Sequence, residues 1–195
     1  MRIAIIGGNG TIGRAVAEAL AARHEVVRVG RTHGDVHADI TDPASVRKLF
    51  AQLGQLDAVV SAAGSAAWKP LPELSDADFE FSLHDKLMGQ VNLVRYGRDH
   101  VRDGGSFTLT SGILARSPMQ GSAAVSLVNA GVEAFARAAA LELPRLRVNA
   151  VSPPWVSETL AAMGQDPSTG MPAKDVARAY VTSVEGRDTG AIIQP

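Results

Sequence analysis

A glycine-rich segment directly after the first apolar run is the feature that most constrains this fold. Residues 1–6 are a short strand-like run, and the sequence GGNGTIG follows at residues 7–13. Residues 14–22 then place apolar side chains at helical spacing. A buried strand that ends in a glycine turn and opens a helix is suited to hold a dinucleotide pyrophosphate. The segment therefore predicts a dinucleotide ligand and a parallel sheet.

Each glycine of this turn has its own steric role. Gly7 can leave the strand with a backbone angle that a side chain disfavours. Gly10 keeps backbone N–H groups open to phosphate oxygens, and Gly13 lets the helix lie close to the strand. The alternative is an ordinary strand–turn–helix with spare glycines. We expect the cofactor-binding residues of the turn to be Gly7, Asn9, Gly10, Thr11, Ile12 and Gly13.

Composition narrows the class of protein. A length of 195 residues fits a single domain over residues 1–195. A net charge of −1 and the lack of a basic run argue against nucleic-acid binding. The lack of cysteine excludes disulfides and thiolate catalysis, and the five histidines are not grouped, so no metal site is predicted. We expect no segment long and apolar enough to span a bilayer, no signal peptide at residues 1–6, and a cytoplasmic protein.

Strand-like and helix-like segments alternate along the whole chain. Strands are predicted at residues 1–6, 25–29, 36–39, 56–61, 106–110, 146–151 and 191–194. Helices are predicted at residues 14–22, 44–53, 75–100 with a break near residue 84, 123–143, 157–163 and 172–184. Such alternation is typical of a parallel sheet covered on both faces. We expect a Rossmann-type α/β fold, a doubly wound parallel sheet of about seven strands.

The carboxyl edge of such a sheet is where ligands bind. The topology brings five segments to that edge, and they are the ones with small, polar or unusual residues. They are residues 7–13, 30–31, 61–64, 110–112 and 152–155.

Taken together, these segments resemble the short-chain dehydrogenase/reductase family over nearly the whole chain. The turn has the GxxGxxG spacing of the looser branches of that family. Residues 61–64, which end in Ala62, Ala63 and Gly64, resemble its Asn-Asn-Ala-Gly segment. Asp39 and Ile40 look like the pair that contacts adenine. Residues 108–111 are similar to the strand that carries the catalytic serine. Residues 149–153, which end at Pro153, are close to the Asn-x-Val-x-Pro-Gly segment of the family, with Pro154 in place of the glycine.

The resemblance implies a nicotinamide cofactor, hydride transfer with a carbonyl or alcohol substrate, and a homodimer or homotetramer. The cofactor residues it implies beyond the turn are Asp39, Ile40, Ala62, Ala63, Gly64, Asn129 and Pro153. The catalytic pattern of the family, Tyr-x-x-x-Lys, is missing, because Val125 stands at the tyrosine position and Asn129 at the lysine position. Valine carries no proton, and asparagine can bind a ribose but carries no charge.

Two residues are candidates for the missing chemistry. Ser111 matches the family serine and would polarise a carbonyl, or else cap the turn after its strand. Lys86 falls on a structural asparagine of the family and would stabilise an oxyanion, with water or substrate supplying the proton. The alternative for Lys86 is a solvated helix lysine. His84 is a weaker proton-transfer candidate, and Trp155 belongs either to the pocket or to the core.

Arg31, at the end of the second strand, bears on which nicotinamide cofactor binds. An acid at that position binds the 2′-hydroxyl of NAD, whereas an arginine suits the 2′-phosphate of NADP. His33 lies nearby, and Asp35 stands too late in the loop to serve as the acid. NADP(H) is therefore favoured over NAD(H).

Two other functions stay open beside that of an oxidoreductase. One is a non-catalytic dinucleotide-binding sensor or partner subunit, which the loss of both Tyr and Lys would fit. The other is a structural remnant that binds no nucleotide.

Overall fold

One parallel sheet runs through the molecule, and the computed structural model describes all residues, 1–195. Its strands are β1 (Arg2–Ile6), β2 (Glu25–Gly30), β3 (Val36–His37), β4 (Leu56–Ser61), β5 (Val101–Thr110), β6 (Arg147–Val151) and β7 (Ile192–Ile193). They pair in the order β3-β2-β1-β4-β5-β6-β7, and every pairing is parallel. The predicted doubly wound sheet of seven strands is confirmed.

Helices cover both faces of this sheet. They are α1 (Thr11–Ala21), α2 (Pro43–Leu53), α3 (Asp76–Ser82), α4 (Gly89–Gly97), α5 (Ala123–Glu142), α6 (Ser157–Ala162) and α7 (Ala173–Glu185). Short 3₁₀ turns lie at Leu71–Glu73, Arg98–His100, Ile113–Ala115 and Pro167–Thr169.

The alternation of side chains along β1 divides the core into two layers. Ile3 and Ile5 pack with Leu20 of α1 and Tyr180 of α7 on one face. Ala4 and Ile6 point to the opposite face, where the cluster includes Phe50 of α2, Leu93 of α4 and Val132 of α5. Because both faces of the strand are buried, its sequence is almost continuously apolar, as parallel strands require.

The strand order reverses beside β1, and this places the glycine turn next to the end of β4. The N–H of Gly7 donates to the carbonyl of Val29 at 2.8 Å, and the N–H of Ala62 donates to the carbonyl of Ile6 at 2.8 Å. Ligands of doubly wound folds bind at such a switch point, outside the carboxyl ends of the strands.

The helical region between β4 and β5 runs from Asp76 to His100, but its hydrogen-bonding pattern changes along the way. Ser75 caps α3 in a capping box with Asp78. A π-helical turn at Leu83–Met88 then joins α3 to α4. The helix predicted to break near His84 instead widens there into a π-helical turn, a feature common at functional sites.

Boundaries differ from the predicted ones mainly at β5. This strand begins at Val101 rather than at residue 106, because Val101 pairs with Leu56 before a register shift interrupts the ladder. β7 covers only Ile192–Ile193 at the sheet edge.

Helix α5 contradicts the expectation that no segment has the length and apolarity of a membrane span. Its residues Ala123–Glu142 meet both criteria, with a mean hydropathy of 1.3. The same helix buries Val128, Val132 and Ala136 inside the protein. Core helices pass such a test too, so length and composition alone are weak support for a membrane span.

The contact between α1 and the glycine turn generates a stability prediction. A Cβ atom on Gly13 would lie 2.0 Å from the carbonyl oxygen of Gly7. Gly13→Ala should lower the free energy of unfolding in urea by about 3 kcal/mol, because the obstructing atoms are backbone and cannot rotate away.

Gly131→Ala provides the matched control for that substitution. Gly131 is also a helical glycine, but its added Cβ would meet only the flexible end of Leu87, at 3.0 Å. We expect a change within about 0.5 kcal/mol, since the gain in helix propensity offsets the crowding. Equal effects of the two substitutions would show that the turn does not depend on Gly13.

Candidate functional site

A cavity of about 240 Å³ opens at the carboxyl edge of the sheet. Ile12 of the glycine turn, Lys86 of the π-helical turn and Ser111 after β5 line it together with Asn129 of α5. Pro153 and Trp155, in the segment after β6, close another side. The structure thus brings together both predicted catalytic residues and three of the predicted cofactor residues, although they come from five separate parts of the chain.

The glycine turn has the shape and the free donors of a phosphate cradle. The N–H groups of Thr11, Ile12 and Gly13 have no acceptor in the protein, and no side chain caps the helix. Such N-terminal N–H groups, together with the helix dipole, attract anions. Gly10 leaves this space open, and Asn9 lies exposed at the tip of the turn. The residues present therefore fit a pyrophosphate.

The floor of the cradle is the segment after β4. Gly7 has a φ of +78°, and a Cβ there would lie 2.6 Å from the carbonyl oxygen of Ala62 and 3.1 Å from the Cβ of Ala63. Gly64 has a φ of +113°, and its Cβ would lie 2.9 Å from the Cα of Lys86. Only glycine tolerates both the positive φ and the close contacts at positions 7 and 64. The predicted residues Ala62, Ala63 and Gly64 therefore shape the site by close packing.

Lys86 presents an unpaired ammonium group to the cavity. No carboxylate lies within ion-pair distance of its Nζ, and no acceptor binds it. Burial lowers the pKa of Lys86 to about 8, while the negative charge of Asp85 opposes that shift. The side chain is partly exposed and lines the cavity. A lysine with a pKa near 8 is present as both ammonium and neutral amine near that pH, and the ammonium can donate a proton while the amine can accept one.

Arg31 contacts a carboxylate that the sequence interpretation overlooked. Asp85 is 5% exposed, accepts from the N–H of Ser65 at 2.6 Å and lies 3.3 Å from a guanidinium nitrogen of Arg31. The Arg31 side chain is still 64% exposed, so its remaining donors face solvent. Asp85 was missed because a continuous helix would not predict where the π-helical turn directs it.

Asp39 and Ile40 lie near Arg31, but both already have partners within the protein. The backbone and hydroxyl of Thr41 donate to the Asp39 carboxylate at 2.9 and 2.7 Å. These hydrogen bonds lower the pKa of Asp39, burial opposes them, and the charges of Arg31 and His84 add to the lowering. Ile40 is buried, and a Cβ on Gly89 would meet it at 2.8 Å.

Ser111 is hydrogen-bonded to a glutamate that sequence reasoning also missed. Its Oγ donates to Glu133 Oε1 at 2.8 Å, and the serine is 4% exposed. A donor role toward a carbonyl therefore requires this bond to break first. Helical spacing was the signal that could have revealed Glu133, because Val125, Asn129 and Glu133 follow one another at intervals of four residues.

Asn129 offers an unsatisfied amide to the cavity. It is 3% exposed, and its Oδ1 is buried without a hydrogen-bond partner. Its Nδ2 lies 3.0 Å from where a side chain on Gly112 would begin, so the glycine keeps the amide accessible. A buried amide without a partner is costly unless a ligand satisfies it. A ribose, whose hydroxyls both donate and accept, fits this requirement.

The remaining candidates lie at different depths around the site. His84 lies outside the cavity, on a surface formed with Phe81 and Met88. Trp155 lines the cavity and meets Trp68 edge to face, with 5.7 Å between ring centroids. Tyr180 is fully buried and bonded to Thr110 Oγ1 at 2.6 Å, and burial raises its pKa. Its partner is the residue next to Ser111, but Tyr180 itself does not line the cavity.

Comparisons with known proteins agree with this geometry. Residues 7–191 match a family model described as enoyl-(acyl carrier protein) reductase. A hydroxynaphthalene reductase of Aspergillus fumigatus is 30% identical over 185 residues, which cover 82% of this chain and 68% of the relative.

Two solved structures extend the likeness to the whole chain. A protein from Listeria innocua is 43% identical, with a TM-score of 0.95 over 100% of this chain and 98% of its own. A small-chain dehydrogenase solved in complex with NADPH is 26% identical, with a TM-score of 0.89 over 100% and 96%. With the glycine cradle, the sheet order and the composition of the cavity, these matches make the chain a member of the short-chain dehydrogenase/reductase family.

Proposed function

We propose that this protein is an NADP(H)-dependent oxidoreductase for a small carbonyl or alcohol substrate. The observation that carries the proposal is the single cavity in which Ile12 of the glycine turn meets Lys86, Ser111 and Asn129. This cavity joins a cradle for phosphates to an unpaired cation and a hydroxyl, which is the combination that a dehydrogenase site needs.

Cofactor binding is assigned to the cradle and to two polar side chains. The N–H groups of Thr11, Ile12 and Gly13 would hold the pyrophosphate, and Asn129 would hold the nicotinamide ribose. The exposed guanidinium of Arg31 would bind the 2′-phosphate that distinguishes NADP from NAD. The NADPH found in a 26% identical dehydrogenase supports this choice for the present chain.

Lys86 takes the acid/base role that a tyrosine has elsewhere in the family. A bound nicotinamide would supply or accept the hydride. The Lys86 ammonium would donate a proton to the carbonyl oxygen during reduction, and its neutral amine would accept that proton during oxidation. The positive charge would also stabilise the oxygen as negative charge develops there. Ser111 would contact the same oxygen and, because its own proton is bonded to Glu133, would accept a hydrogen bond from that oxygen in the alcohol form.

A homodimer or homotetramer is proposed from the outer face of α5. Leu127, Ala130, Ala134, Ala138 and Leu141 are exposed and recur at intervals of three or four residues. Leu141 is 85% exposed and Leu127 is 49% exposed. The small side chains of this stripe allow a second helix to approach closely, so the stripe supports association between copies of the chain.

Replacing Arg31 tests the cofactor assignment. Arg31→Ala should weaken NADPH binding about tenfold or more and leave NADH binding nearly unchanged, because only NADPH carries the 2′-phosphate. Fluorescence titration with each nucleotide measures both affinities. Arg23→Ala is the control, since Arg23 pairs with Glu185 beyond the far end of α1. If the parent bound neither nucleotide at millimolar concentration, the cofactor assignment would be wrong.

Replacing Lys86 tests the chemistry. In the parent, carbonyl reduction should decline as pH rises through about 8, where the ammonium loses its proton. Lys86→Met should lower turnover about 100-fold or more and abolish that pH dependence, while NADPH binding persists. A screen of carbonyls and alcohols supplies the assay, and Lys48→Met on the exposed face of α2 is the control. A parent that binds NADPH but turns over no compound would favour the non-catalytic sensor.

A charged residue in the α5 stripe tests the oligomer. Ala134→Glu should shift the protein to monomers in sedimentation velocity, because the carboxylate would be buried without a partner. Ala51→Glu, at an exposed position of α2, should leave the mass unchanged. A parent that sediments as a monomer would contradict the proposed assembly.

A further inference from the structure

The proton of the Ser111 hydroxyl already has a partner within the protein. Ser111 Oγ lies 2.8 Å from Glu133 Oε1, and an ionised carboxylate can only accept a hydrogen bond. The other acceptor within reach is the carbonyl of Val151, at a longer 3.4 Å. That carbonyl already accepts from the Ser111 N–H at 2.9 Å. A hydroxyl has a single proton, so the lone pairs of Oγ are what remain for a ligand.

The Glu133 carboxylate lies between Ser111 and a surface arginine. It lies on α5, one helical turn after Asn129, and its side chain is 12% exposed. Its second oxygen lies 3.9 Å from the guanidinium of Arg137, which is 57% exposed. One carboxylate oxygen therefore faces the serine, and the other lies beside a surface cation. The oxygen that faces the serine is the one that accepts the proton of Ser111.

We propose that Glu133 is a positioning residue that orients Ser111 as a hydrogen-bond acceptor, so that the cavity selects hydroxyl ligands over carbonyl ligands. The Lys86 ammonium is a donor in the same cavity, and the Ser111 oxygen is an acceptor. A hydroxyl can accept from Lys86 and donate to Ser111, whereas a carbonyl oxygen can satisfy only Lys86. Identification of that hydroxyl with an alcohol substrate rests on the proposed function.

The test compares two small probes of similar size, cyclohexanol and cyclohexanone, in the protein without nucleotide. Ligand-detected NMR titration gives a dissociation constant for each probe. The parent should bind cyclohexanol about tenfold more tightly, since one additional hydrogen bond is satisfied. Glu133→Leu removes the acceptor and frees the Ser111 proton for a carbonyl, so the preference should disappear or reverse.

The Ser111→Ala protein, with and without Glu133→Leu, shows whether Glu133 acts through Ser111. Ser111→Ala should also abolish the preference, and adding Glu133→Leu to it should change the ratio of the two affinities no further. Glu142→Leu removes a carboxylate from the same helix at an exposed position and should keep the parental ratio. Glu133→Ala replaces the leucine variant if circular dichroism shows that the latter is unfolded.

Three outcomes would overturn the proposal. They are a parent with no preference for the alcohol, a Glu133→Leu protein with the parental ratio, and a shift caused by Glu133→Leu that persists when Ser111 is alanine. The titrations need neither nucleotide nor turnover. They can therefore contradict the role of Glu133 while the nicotinamide assignment holds, and they can support that role while the nicotinamide assignment fails.

Discussion

The approach of helix α1 to the end of β1 is the contact on which the site depends. Gly13 lies so close to the carbonyl of Gly7 that no side chain fits between them. This contact directs the first N–H groups of the helix across the carboxyl edge of the sheet. It also seats α1 on the face where Ile3 and Ile5 pack with α7, so one contact serves both the core and the ligand site.

The fold was accessible from sequence because its determinants are local. Apolar strands alternate with capped, amphipathic segments, and glycine marks the switch point between them. The positions of Gly7, Gly10 and Gly13 were enough to predict the cradle. The start of β5 was harder to predict from sequence. Val101 pairs with Leu56 before a register shift, and no local sequence pattern marks that pairing.

The site was only partly accessible, because its polar partners are set by tertiary contacts. Asp85 contacts Arg31 while Lys86 lines the cavity, and both lie in the π-helical turn. A regular α-helical spacing of about 3.6 residues per turn does not predict these two directions. The Ser111–Glu133 bond joins residues 22 positions apart. The sequence shows that Glu133 lies one helical turn after Asn129. It does not show that the end of β5 packs against α5, which is what brings Ser111 to Glu133.

Val125 and Asn129 of α5 stand where the sequence resemblance places a tyrosine and a lysine, and the cation of the cavity lies on another element. That cation is Lys86, in the π-helical turn before α4, and burial lowers its pKa. Asn129 keeps the hydrogen-bonding capacity of its position without the charge. The positive charge in the cavity wall therefore comes from the π-helical turn and not from α5.

The pairing of Trp68 with Trp155 has a spectroscopic consequence. The chain contains two tryptophans, and both indoles are in this one edge-to-face pair, with Trp155 in the cavity wall. Emission excited at the red edge of protein absorption therefore originates beside the cavity and nowhere else in the molecule. The protein carries an intrinsic fluorophore whose signal is confined to the site, with no background from the rest of the fold.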